Sequence, residues 1–310
     1  MVNVAADRRE GQTWTLAQRT KNDVLWLLAT GALALGSRLP RSLLVRLGEG
    51  VGVLAHTILP SARRTALRNV ERVFPELGPK DAKALVTNVY RTLGRQLGEV
   101  VATLDPNRPL ERLPFAPGTR ECFDDALREG HGVVFASAHL GPWERVAATL
   151  VAEGFPLTVI AREAYDPRLT PIYDRLRGGR GVRTIYRGAP GAAASLLRTV
   201  RRGEVLGVPM DLASRVPSID VPFLGLPART PVGPARIALR TSAAVIVGTP
   251  APRDTSSAEL VFSARRIPTG DLGADAEGER ILTSRINEEL GARIRAMPER
   301  WVWMHPRWRS

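Results

Sequence analysis

The stretch GVVFASAHLGPWERVAATL, Gly132 to Leu150, decides how the chain folds. Its first half is an uncharged run of valine, phenylalanine and alanine, the composition of a strand covered on both faces. Gly141-Pro142 then marks a helix start, with proline at the first helical position and apolar residues following at helical spacing. The alternation recurs downstream. Further β-rich runs lie at Leu157 to Ala161, Val182 to Tyr186, Val205 to Pro209 and Ala243 to Val247. Helix candidates cover Pro142 to Glu153, Pro167 to Leu176, Gly191 to Arg202, Pro231 to Thr241 and Arg280 to Met297. Strands and helices in turn predict an α/β domain with a mainly parallel central sheet flanked by helices. Ligands of such sheets gather at the carboxyl ends of the strands, and His139 stands just past one.

Upstream the chain reads differently. Val24 to Gly36 (VLWLLATGALALG) and Val51 to Pro60 (VGVLAHTILP) are apolar, but each is shorter than the roughly 20 residues a spanning helix needs. Two readings fit them: buried core helices, or a shallow membrane anchor with arginines and Trp26 at headgroup level. The first twenty residues are polar and lack a signal-peptide pattern. The chain therefore divides into residues 1–60, a polar tail and membrane-associating helices, and residues 61–310, the α/β domain. Arg64, Arg68 and Arg72 share one face of a basic amphipathic helix, opposite Ala66, Val70 and Val73. From Pro79 a long helix carries a seam of Val86, Tyr90, Leu93, Leu97, Val100 and Leu104, stopped by Asp105-Pro106-Asn107.

The 310 residues carry a formal charge of +13, which favours phosphate, anionic lipid or nucleic acid as partner. Aromatics make up only 5% of the chain, too few for an evident base-stacking platform, so the arginine-rich Arg175 to Arg187 is read as a phosphate-facing or solvated loop. A single cysteine and four histidines leave little for a metal centre. No G-x-S-x-G, H-E-x-x-H, Walker or G-x-G-x-x-G sequence occurs.

His139 and Glu144 remain. Five residues apart on one helix, their side chains would diverge by about 140°. With His139 in the loop before the helix and Glu144 in its first turn, the carboxylate can reach a ring nitrogen, hold the tautomer and raise the basicity of the other nitrogen. The amides of the helix start, Gly141 among them, form a candidate anion site. Read as bare spacing, the pair is equally a capping glutamate near an unrelated histidine.

The wider pattern resembles a known family. HLGPWE resembles the H-x4-D/E box of the late acyltransferases of lipid A biosynthesis, within the glycerolipid acyltransferase-like superfamily. ARRTALRNVERVFPEL (Ala62 to Leu77), LGVPMDLASRVPSIDVPFLGLPARTPVGPARIALRTSA (Leu206 to Ala243) and MPERWVWMHPRWR (Met297 to Arg309) resemble three further blocks, in family order.

The resemblance implies a membrane-associated enzyme, at the cytoplasmic face of the inner membrane, with no metal or redox cofactor. Its reaction would move a fatty acyl chain from acyl carrier protein, or coenzyme A, to a hydroxyl of an anionic lipid or glycolipid. Residue by residue it implies His139 as general base and Glu144 as its orienting acid, with Arg162, Asp211 and Arg215 at substrate positions. A structural pairing of Asp211 with Arg162 or Arg215 stays open beside that. Pro142 stands where the family usually has asparagine, and Met210-Asp211-Leu212-Ala213 lacks the usual D-Q pair, so the acceptor is the least transferable property. A lipid A precursor is the leading acceptor, and a phosphatidylinositol mannoside, another glycolipid or an aminolipid the alternative. A non-catalytic basic protein binding membrane or nucleic acid is the contrasting class. Trp301 and Trp303 alternate as in a strand and are expected to pack onto the core.

Overall fold

The computed structural model describes residues 13–36, 38–103, 108–254 and 259–308. The expected helix stop at Asp105-Pro106-Asn107, Leu104 of the seam and the first part of the polar tail lie outside these residues.

The described residues open with four helices: α1 (Leu16–Gly36), α2 (Arg41–Ile58), α3 (Pro60–Val73) and α4 (Pro79–Thr103). After α5 (Thr119–Arg128) the chain alternates through β1 (Val133–Ser137), α6 (Trp143–Ala152), β2 (Leu157–Ala161), α7 (Thr170–Gly178), β3 (Arg183–Tyr186), α8 (Ala192–Arg201) and β4 (Val205–Pro209). A hairpin of β5 (Ser218–Phe223) and β6 (Leu226–Pro231) leads into α9 (Gly233–Thr241), β7 (Ala244–Pro252), β8 (Leu260–Ile267) and α10 (Ala276–Ala296). The main sheet has the order β3-β2-β4-β1-β7-β8, parallel throughout except for antiparallel β8. The expected parallel core is thus present, while the β5–β6 hairpin and β8 were not anticipated. Their residues carry charge and proline among the apolar positions, as strands exposed on one face do.

β1 runs through the centre and feeds both halves of the core, because successive side chains point to opposite faces. Val134 and Ala136 join a cluster with α3, α4, α9, α10 and the C-terminal tryptophans. Val133 and Phe135 join the other, with Phe123, Phe155 and Phe262. Among its described residues the tail makes no strand. Trp301 forms one isolated bridge to Leu140 and the chain then turns. The alternation was misread because the burial of Trp301, Trp303 and Trp308 comes from three-sided aromatic packing rather than from one face of a pleat.

The seam of α4 also differs from expectation. Leu97 is exposed, and α4 meets α2 through glycines: Gly94 and Gly98 face Gly48 and Gly52. A Cβ on Gly94 would lie 2.3 Å from the Gly48 carbonyl oxygen, and one on Gly52 2.1 Å from that of Tyr90. The backbones touch directly, so no larger residue fits without separating the helices. Neither α1 nor α2 is a buried core helix. α2 buries only Leu44, Gly48 and Gly52, and its outer side exposes Leu43, Leu47, Val51, Leu54 and Ile58. Among the described residues no single helix is long and apolar enough to cross a membrane. On α3, Ala66, Val70 and Val73 are buried and Arg64, Arg68 and Arg72 face outward, as the pattern predicted.

Candidate active site

Two neighbouring parallel strands create the site. In the β1–β4 register Ser137 pairs with Pro209, and the Met210 amide donates to the Ser137 carbonyl at 2.9 Å. Two residues further along each strand, His139 and Asp211 come face to face. The His139 ring Nδ1 lies 2.9 Å from Asp211 Oδ1, and the His139 backbone N–H donates to Oδ2 at 2.8 Å. Trp301 Nε1 donates to the same Oδ2 at 2.8 Å. Asp211 is fully buried.

A carboxylate only accepts, so with a neutral ring the proton sits on Nδ1 and Nε2 is the basic nitrogen. Burial pushes the Asp211 carboxyl up, but the charge of His139 and the bonds from His139 and Trp301 outweigh it and hold the group below the usual carboxylate range. For His139, loss of water pulls the pKa down. The charge and hydrogen bond of Asp211, with a smaller push from Glu144, more than offset that and leave it raised.

The partner expected for His139 was Glu144, and the structure corrects this. Glu144 sits in the first turn of α6, but both of its oxygens are taken by Arg177 of α7, at 2.6 Å from Nη2 and 3.1 Å from Nε. The ring nitrogen it was to hold belongs to Asp211. Glu144 acts on His139 through its charge and on the site through the α6–α7 pairing. Trp143 packs edge-on against the His139 ring, with centroids 5.2 Å apart.

Gly141 is also committed elsewhere. Its φ of +58° suits glycine, and its N–H donates to the Arg300 carbonyl at 3.0 Å, so this amide is not open to an anion. Arg162 follows β2 and lies over the Tyr165 ring at 4.1 Å. Arg215 is exposed in the loop between β4 and β5. Neither arginine lines the cavity beside His139, and Asp211 pairs with neither.

That cavity runs from His139, Glu144 and Arg177 between α6 and the sheet. Its walls are Phe135, Val146, Ala147, Leu157, Val159 and Pro250, opened by Gly207 and Gly248. An apolar slot ending at one basic nitrogen suits a chain with a single reactive polar end.

The sequence profile of the bacterial lipid A biosynthesis acyltransferases matches residues 13–310. The chain belongs to this family. Within it, the chain is 25% identical over 301 residues to the "Lipid A biosynthesis lauroyltransferase" of Escherichia coli K12, covering 92% of each protein. It is also 26% identical over 226 residues to the "Phosphatidylinositol mannoside acyltransferase" of two Mycobacterium tuberculosis strains, CDC 1551 and H37Rv. That match takes in 72% of this chain and 64% of those relatives, so the chain spans just under two thirds of their length.

Arg177 and Trp301 are the site residues that the sequence reading missed. Arg177 falls within Arg175 to Arg187, read as a phosphate-facing or solvated loop, whereas it stands on α7 and its purpose shows only in the side chain of Glu144 opposite. Trp301 was read as core packing, which it is, but its indole nitrogen is also a donor to Asp211.

Proposed function

We propose that this protein transfers an acyl group from a carrier protein or coenzyme A thioester to a hydroxyl of a lipid. The observation that carries the reading is the His139–Asp211 pair at the head of an apolar slot, in a chain of this family. His139 Nε2 takes the acceptor hydroxyl proton as the oxygen attacks the thioester carbonyl. The tetrahedral intermediate collapses, the C–S bond breaks, and the departing thiolate recovers the proton from the imidazolium. Ester and free thiol are the products. Asp211 holds the tautomer and balances the imidazolium charge, the acyl chain occupies the slot, and Arg162 and Arg215, outside the lining of the slot, serve the acceptor headgroup. A lipid A precursor is the leading acceptor, since the E. coli relative matches over almost the whole of both chains. A mannosylated phosphatidylinositol is the second reading, from the mycobacterial relatives of similar identity.

The experiment is to incubate the purified protein with acyl carrier protein thioesters of several chain lengths and each lipid in turn, and to identify the product by mass spectrometry. His139→Ala is expected to lower product formation by at least about 10³-fold, the usual loss of general base and proton carrier together. Turnover near that of the unaltered protein would end the proposal.

A lipid acceptor requires access to a lipid surface. The exposed residues Leu43, Leu47, Val51, Leu54 and Ile58 of α2, joined by Val24, Leu27 and Leu28 of α1, form the apolar faces that support such contact. The exposed Arg46, Arg64 and Arg68 supply charge suited to anionic headgroups. Replacing Leu47 and Leu54 together by Glu is expected to abolish flotation with anionic vesicles. Undiminished flotation would remove α2 as the contact.

A further inference from the structure

We propose that Trp301 is a positioning residue for His139, acting through Asp211, and that the C-terminal tail thereby sets the basicity of the site. The proposal builds on the reading of His139 as the base. Two consecutive tail residues hold the same corner. The Arg300 carbonyl accepts from the Gly141 N–H at 3.0 Å, and Trp301 bridges Leu140. The Trp301 indole N–H donates to Asp211 Oδ2, the oxygen that also accepts the His139 amide. The His139 amide holds Oδ2 on its side with or without the indole, so Oδ1 points at the ring Nδ1 in either case and the indole adds a second donor to Oδ2.

The indole is itself immobile. Trp301 is fully buried, edge-on to Trp303 at 4.7 Å and flanked by Phe223 at 5.8 Å and Trp308 at 6.1 Å. This packing alone would be satisfied by any large aromatic side chain. The N–H is what phenylalanine lacks.

The charged groups bearing on the pair come from every side. Asp211 follows β4, Glu144 stands on α6 and Arg177 on α7, while Arg307 of the tail is attracted to Asp211. Against that fixed background the indole draws electron density from Oδ2 and weakens the hold of the carboxylate on the imidazolium. Without it Asp211 is the stronger base, the imidazolium is better stabilised, and the affinity of His139 for its proton rises. A packing role predicts no such change, and loss of Asp211 from its place predicts the reverse.

The test is a histidine-selective NMR titration of the full-length protein, with the His139 signal identified by its absence from His139→Gln. Trp301→Phe is expected to raise the proton affinity of His139 about three- to tenfold and to move the acidic limb of the pH–rate profile upward with it. An unchanged or lowered affinity would overturn the proposal. Should Trp301→Phe fail to fold, the unaltered protein gives the answer. Its Trp301 indole N–H, identified by contact with the His139 amide proton, is expected to shift with the titration of His139, and an indole resonance indifferent to that titration would overturn the proposal as well. Both NMR measurements need no substrate. A coupled titration alongside unimpaired acyl transfer by His139→Ala would reject the proposed function and leave the coupling standing.

Discussion

Asp211→Asn is expected to reduce acyl transfer by about 10⁴-fold, although it changes one atom and almost no volume. The geometry forces this outcome. Two donors, the His139 amide and the Trp301 indole, converge on Oδ2, so an asparagine must place its oxygen there. Its NH₂ then faces the ring Nδ1, which must accept, and the ring proton moves to Nε2. The nitrogen that should remove the hydroxyl proton no longer can. The same change takes away the negative charge that outweighs desolvation of the ring, so the pKa of His139 falls from its raised position. Residual activity should therefore persist to lower pH than in the unaltered protein, whose acidic limb lies above the ordinary imidazole value near 6.5. A turnover within tenfold of normal, or a limb that stays in place, would show that Asp211 does not orient the base.

Stability answers to pH in the matching sense. The raised His139 contributes stabilisation that is complete below the unfolded imidazole value and is lost as pH climbs through the folded one. The depressed Asp211 contributes stabilisation above the usual carboxylate range that disappears as pH drops through its folded value.

The second large effect concerns Glu144 and Arg177. Their side chains are only 14% and 16% exposed, and the contact is bidentate. Glu144→Ala leaves a guanidinium largely buried beside His139, and we expect a loss of about 3 kcal/mol in denaturant unfolding, the lower part of the range for breaking a buried pair. Arg177→Ala strands the carboxylate and should cost a similar amount, while the double variant should recover part of the loss. The two single changes separate on the acidic limb. Glu144 raises the His139 pKa and Arg177 lowers it, so the limb should move down in Glu144→Ala and up in Arg177→Ala. Additive losses in the double variant would show that the pairing does not hold α6 to α7.

Much of this architecture is legible in the sequence because the inner parallel strands β1, β4 and β7 are largely buried and read as uncharged runs between helices. The ends of β1 and β4 were both foreseen, and His139 and Asp211 each follow one. What the sequence does not carry is strand order. β4 enters the sheet between β1 and β2 only after two further strands and three helices have been laid down, so the partner of His139 lies 72 residues away while a nearer carboxylate, Glu144, offers a plausible substitute. Long-range neighbours of this kind follow from register, not from spacing along the chain. Arg177 escaped notice for a related reason, since an arginine among arginines gives no sign of which one faces inward. The hairpin and β8 were missed because strands that carry charge, here Asp220, Arg229, Arg265 and Arg266, lack the uncharged signature.

The glycine contact between α2 and α4 has a mechanical consequence. Helices that meet through long side chains can re-seat by exchanging one rotamer for another, whereas carbonyls resting on opposing α-carbons have no such freedom. The outer stripe of α2 therefore stands at a fixed height above the rest of the domain. If that stripe marks the lipid boundary, the distance from bilayer to His139 is built into the backbone as a rigid spacer, and lipids must be drawn up to it.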